Sequence, residues 1–364
     1  MELPRAIVPL PAVVGEPKLL LATPPLTRLS EAELATQLRS RLAQSAAQDQ
    51  FSGAVLVVRR GATVVDGAFG LSDRESQQPN DIATKFRVGS MDKMFTATAI
   101  LQLVQAGRIK LDAPLGTYLP DYPNQAVARR VTIHHLLTHT GGTGDIFGPE
   151  FDSHRLTLRT LGDYVALYGT RDLAFEPGTR WEYSNYGFIL LGRVIEAVSG
   201  QSYYDFVRDH VFTPAGMTAT GFDPEDVDVP GRAKGYMRSG GAWVSNRETL
   251  PYRGTSAGGG YSTVGDLVRF ADALLAHRLL DANYTEMLTT SKTTALGSDY
   301  AYGFRDVTEN GVRHIGHSGG APGMSGDLRI FPDDGYVIVV LANVDSAASR
   351  VANWIAERLP LPVR

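Results

Sequence analysis

Strand-like apolar runs gather at the two ends of this chain, and helix-like patterns fill its middle. Ser30 and Glu33 have the spacing of a capping box, which predicts a helix from there to about residue 48. Runs over 54–58 and 63–69, split by Arg59-Arg60-Gly61-Ala62, read as a β-hairpin. A short strand-like stretch then turns at Gly89 into an apolar helix from Ser90 to about residue 106, closed by Gly107. Residues 108–290 read as loops and helices, with helix starts marked by Thr160 and Asp163, Ser202 and Asp205, and Thr263 and Asp266. Within them, an amphipathic helix over 188–198 ends at Gly200. Strand patterns return at 326–332 and 335–342, around the turn Asp333-Asp334-Gly335, and a last helix covers 347–359.

This order predicts an α+β fold: an antiparallel sheet built from both chain ends, flanked by N- and C-terminal helices, with a helical region inserted between them. In residue numbers, a Pro-rich irregular lead-in (1–28) precedes sheet regions at 29–89 and 291–364 and a mainly helical region at 90–290, together forming one unit.

Composition narrows the function classes. The 364 residues are 43% hydrophobic and 20% charged with a net charge of −4, ordinary for a globular protein. Arginines are scattered rather than clustered, so no nucleic-acid surface is expected. The absence of cysteine removes disulfides, thiolate metal sites and cysteine nucleophiles. No run reaches the ~18 apolar residues of a membrane span. The lead-in, broken by Pro4, Pro9, Pro11, Pro17, Pro24 and Pro25, lacks the unbroken apolar run of an export signal, which leaves localisation open. Oligomeric state is equally open.

The candidate chemistry starts at Ser90-Met91-Asp92-Lys93. Residues three apart on a helix are neighbours, so a hydroxyl and an amine come within reach of each other at a helix N-terminus. A serine hydroxyl becomes nucleophilic when a nearby base takes its proton, and a buried lysine with a lowered pKa is such a base. The chain contains only six lysines, and this one precedes an apolar helix. Tyr183 and Asn185 lie two apart before the amphipathic helix, so in an extended segment their side chains point the same way. Gly316-His317-Ser318-Gly319-Gly320 matches the nucleophile elbow of α/β-hydrolases. That fold needs its histidine after the serine, and none of the eight histidines follows Ser318. The stretch reads instead as the start of a strand whose glycines let backbone approach a ligand. His135 and His139 share helical spacing, but Leu136 follows the first and no third ligand is apparent, so no metal is assigned. The glycine runs 141–144 and 258–260 lack a P-loop lysine and read as loops beside a cleft.

Taken in order, Ser90-x-x-Lys93, Tyr183-x-Asn185 and His317-Ser318-Gly319 resemble the penicillin-recognising serine hydrolases, specifically the class C β-lactamase, DD-peptidase and family VIII esterase group. Leu136-Leu137-Thr138-His139-Thr140-Gly141-Gly142, Glu176-Pro177-Gly178 and Gly259-Gly260-Tyr261-Ser262-Thr263 extend the resemblance over about 30–358. It implies a β-lactamase/transpeptidase-like fold and no cofactor. Ser90 would be the acylated nucleophile, Lys93 its activator, and Tyr183 the general base that then protonates the leaving group. Asn185 would orient substrate and Lys93, and His317, Ser318 and Gly319 would line the cleft's edge strand. The backbone N–H groups of Ser90 and Gly320 would form the oxyanion hole. β-Lactamases of the group usually carry lysine where His317 stands, and a histidine is at most partly charged near neutral pH. The expected activity is therefore hydrolysis of short esters or small amides through an acyl-enzyme. A D-amino-acid-specific peptidase or weak β-lactamase is the alternative, and a catalytically silent scaffold the remaining one. Loops at about 140–155, 220–255 and 290–310 are expected to set the acyl pocket.

Overall fold

A computed structural model describes residues 27–361, so nearly all of the Pro-rich lead-in lies outside the described residues. Six strands make one antiparallel sheet: β1 (Gly53–Arg59), β2 (Ala62–Phe69), β3 (Arg305–Glu309), β4 (Val312–Ala321), β5 (Met324–Phe331) and β6 (Tyr336–Ala342). Their spatial order is β2-β1-β6-β5-β4-β3, so the first strand pairs with the last, Gly53 opposite Ala342 and Arg59 opposite Tyr336. Two short hairpins carry this arrangement, one turning at Arg60-Gly61 with positive φ at both residues and one at Asp333-Asp334-Gly335.

β6 is buried along its whole length because helices cover both faces of the sheet. Successive strand side chains alternate between faces, so Val337, Val339 and Leu341 join one core while Ile338, Val340 and Ala342 join the other. The second core is closed by α1 (Glu31–Ala47), through Leu34, Leu38 and Leu42, and by the C-terminal helix Ala347–Ala356, through Ala348, Ala352 and Ile355. α1 starts with the capping box expected of Ser30 and Glu33. The first, larger core holds the helical region, including α2 (Asp92–Gln105), α3 (Asn185–Ser199) and α4 (Val264–Leu275). The α+β class and its layering agree with the sequence pattern. No helix among the described residues is long and apolar enough to cross a membrane.

Four local expectations change. The helix carrying Lys93 does not begin at Ser90; a 3₁₀ turn over Gly89–Met91 leads into it. α3 starts at Asn185 rather than 188, with Ser184 as its N-cap. The 316–320 stretch is the C-terminal half of β4, not a strand start. Thr263 caps α4 as expected, but Asp266 sends its carboxylate to Ala219 N–H and the Thr220 hydroxyl instead of completing the box.

Candidate active site

Ser90 sits where three backbone segments meet without intervening side chains. Val88 N–H donates to Gly260 O at 2.9 Å, and Gly259 N–H donates to Gly89 O at 3.2 Å. Gly89 turns the chain at φ +53°, in the left-handed region that glycine enters without strain. On the other side lies the end of β4. A methyl group on Gly319 would fall 2.0 Å from Val88 O and 2.9 Å from Ser90 N, and one on Gly89 would fall 2.9 Å from Gly320 N. Backbone contact this tight brings Ser90 N and Gly320 N to neighbouring positions.

Lys93 is fully buried, and its three partners are all uncharged oxygens. Its amine donates to Ser90 Oγ at 3.3 Å, Asn185 Oδ1 at 2.7 Å and Ala257 O at 2.5 Å. Burial lowers its pKa from 10.5 to about 7, opposed by the charges of Asp145 and Asp92. The amine also lies 4.8 Å from the Tyr183 ring centroid, so Tyr183 and Asn185 both converge on it. The Tyr183 hydroxyl is buried, and burial pushes it well above the usual phenol value, with Ser90 the main opposing influence.

Asp145 stands behind Asn185. Its carboxylate accepts from Asn185 Nδ2–H at 3.1 Å and from Asn185 backbone N–H at 3.2 Å, which turns the amide oxygen toward Lys93. Asp92, beside Lys93 in sequence, is buried with one oxygen accepting from Gly260 N–H at 2.7 Å and the other without a partner among the described residues. Burial raises its carboxyl to about 8. Neither carboxylate is marked by a motif, because each acts through contacts of long sequence separation.

His317 faces the cleft from β4 as a neutral ring. Burial and the nearby Lys93 lower its pKa to about 3. Nδ1 donates to Ser318 O at 2.5 Å, which leaves Nε2 to accept from the Tyr300 hydroxyl at 3.0 Å. The two histidines weighed as a metal pair have structural partners instead. His135 Nδ1 accepts from Thr132 N–H at 3.2 Å, and His139 Nδ1 accepts from Ser184 N–H at 3.1 Å while its ring packs 4.3 Å from that of Tyr183. Among the described residues, no group of three metal-ligating side chains converges.

Two cavities open at Ser90. One, of about 740 Å³, is lined by Trp181, Tyr183, Tyr300, Arg305, His317 and Ser318. The other, of about 300 Å³, runs past Asn185 and the 258–259 glycines into an apolar lobe. Both share Ser90, Gly320 and Ala321. The structure thus brings together Ser90, Lys93, Tyr183, Asn185, His317, Gly319 and Gly320, with Ser318 lining the same cleft; Tyr300 and Arg305 are additions that no motif marked.

Several known proteins are similar to this chain in sequence and fold. Esterase EstB of Burkholderia gladioli is 36% identical over 219 residues, 56% of each chain. A penicillin binding protein from Bacillus halodurans has a crystal structure that superposes with a TM-score of 0.77 at 34% identity, covering 86% of this chain and 99% of that one. A D-stereospecific amidohydrolase from Streptomyces sp. superposes with a TM-score of 0.72 at 28% identity, covering 87% and 97%. Residues 38–361 match the Beta-lactamase family, and this chain belongs to it.

Proposed function

We propose that this protein is a serine hydrolase that works through a covalent acyl-enzyme on short esters or small amides. The observation that carries the reading is the buried amine of Lys93, 3.3 Å from Ser90 Oγ and lowered to about 7. Above that pH the amine is free to take the Ser90 proton as Oγ bonds to the acyl carbon, so Lys93 fills the role of base that the resemblance gave to Tyr183, whose hydroxyl burial keeps protonated. The resulting oxyanion sits against the backbone N–H groups of Ser90 and Gly320, a pair worth ~3 kcal/mol per donor in comparable sites. Collapse of the tetrahedral adduct breaks the bond to the leaving group. The proton held by Lys93 passes to that group through the hydroxyl of Tyr183, whose raised pKa keeps it protonated between transfers. Water then attacks the acyl-enzyme, gives its proton back along the same path, and releases the acid with Ser90 restored. Asn185, oriented by Asp145, holds the Lys93 amine in place.

Ester hydrolysis with intact-mass analysis tests this directly. Wild-type protein is expected to turn over p-nitrophenyl butyrate and to gain one fluorophosphonate adduct at Ser90. Ser90→Ala should lose both. Turnover that survives the substitution overturns the reading.

A D-amino-acid-specific peptidase or weak β-lactamase is the second reading, supported by the penicillin-binding and D-stereospecific relatives. The neutral His317 weighs against it where a substrate carboxylate would require a cation. Turnover of a D-Ala-D-Ala peptide or nitrocefin would favour it.

A further inference from the structure

Resting on the acyl-transfer reading, we infer that the smaller lobe beside Ser90 is an acyl-chain site selecting apolar acyl groups of about eight carbons. The two cavities differ in what faces the reacting atoms. Tyr183 lines only the larger one, so the leaving alcohol or amine, which takes its proton there, departs on that side together with Trp181, Tyr300 and Arg305. When the bond between acyl carbon and leaving group breaks, only the acyl part stays on Ser90 Oγ, and the remaining direction leads past Asn185 into the smaller lobe.

That lobe is lined by Ile146, Phe147, Phe151, Leu250 and Pro251. Ile146, Phe151 and Leu250 are buried, while Phe147 is 61% exposed and meets Phe151 edge-on at 5.1 Å between ring centroids. An exposed aromatic at the mouth of an apolar lobe loses water when a chain enters beneath it, so the gain comes from both surfaces. Set against the roughly 150 Å³ that hold one benzene, the volume of about 300 Å³ has room for about twelve carbon-sized atoms. The ester group takes the part of it at Ser90, Gly320 and Ala321, which leaves about eight carbons for the chain. Each buried methylene is worth about a fourfold gain.

The test is kcat/KM for p-nitrophenyl esters from acetyl to dodecanoyl, which share one leaving group. The expected profile rises about fourfold per methylene over the shorter chains, peaks near octanoyl and falls by dodecanoyl. Phe147→Ala, at an exposed position, and Leu250→Asn should each lower the octanoyl-to-acetyl ratio about fivefold or more. A flat or falling profile from acetyl to octanoyl, with acetyl turned over, overturns the acyl-chain site and leaves acyl transfer standing. An unchanged ratio in both variants does the same. No turnover of any ester, with no fluorophosphonate adduct on Ser90, overturns both.

Discussion

Replacing Asp145 with asparagine offers a quantitative probe of how the Lys93 amine is tuned. The carboxylate contacts Asn185 at 3.1 and 3.2 Å, and Asn185 in turn contacts Lys93 at 2.7 Å. One amide group therefore separates the negative charge from the amine. At roughly 7 Å, Coulomb's law gives about 0.6 kcal/mol at the dielectric constant of water and about 2.4 kcal/mol at an effective 20. Asp145 is exposed to solvent, so the lower half of that range applies. The negative charge favours the ammonium form; removing it lowers the Lys93 pKa by about half to one pH unit. A second effect has the same sign. The introduced amide would face Asn185 Nδ2–H with a weaker, uncharged acceptor or rotate away, loosening the amide oxygen that Lys93 uses. The assay is kcat/KM for p-nitrophenyl butyrate from pH 5 to 9.5, whose acidic limb reports the free enzyme's base. Wild type is expected to rise through a midpoint of about 7. Normalised to its own plateau, Asp145→Asn should rise at lower pH and be about three- to fivefold more active at pH 6. A limb that stays in place or moves upward refutes the reasoning.

Two further outcomes follow from the packing around Ser90. Asp92→Asn should separate from wild type in a pH-dependent way. Between 3.8 and about 8 the folded protein holds a proton on Asp92 that the unfolded chain has released, so wild-type stability falls as pH rises through that window. The melting temperature of the variant relative to wild type should therefore climb from pH 5 to 8 and level off above it; a difference constant with pH would remove the buried-acid explanation. Gly319→Ala and Gly320→Ala should differ sharply, because a methyl on Gly319 collides with Val88 O at 2.0 Å whereas one on Gly320 meets only Met324 O at 3.9 Å. The first is expected to cost about 1–3 kcal/mol of stability and on the order of a hundredfold in kcat/KM; the second should leave the melt nearly unchanged and cost less than about fivefold in kcat/KM. Equal behaviour in thermal melts and ester kinetics would contradict the tight backbone approach.

Four of the six sheet strands, their two hairpins and the terminal helices were legible because period-two runs, turn residues and capping pairs are local signals; β3, in a stretch read as a loop, and the first half of β4 were not. The three motifs were legible because their residue types recur at short spacing. What escaped reading is long-range. Tyr300 reaches His317 across 17 positions and Asp145 reaches Asn185 across 40, with no pattern linking them. The short 3₁₀ turn at Gly89–Met91 was hidden for a different reason: the glycine and the apolar run that follow one another there also suit a plain helix start. The spacing of His135 and His139 suggests a shared helical face only while the backbone is taken as helical throughout; φ of +59° at His139 takes the second ring off that face.

The pairing of β1 with β6 has a consequence for how this protein is made. Gly53 waits for Ala342 before its ladder forms. During synthesis the first hairpin is finished early, yet one edge of β1 stays open until β6 has emerged, and loop closure over such a span is slow. The strand end that meets Ser90 is held by β5 and, through it, β6. On the proposed function, gain of ester hydrolysis should then be the last event of refolding, arriving after the helical signal. A nascent chain stalled before β6 would present an unpaired apolar strand to its neighbours, which makes it a target for chaperones or for aggregation.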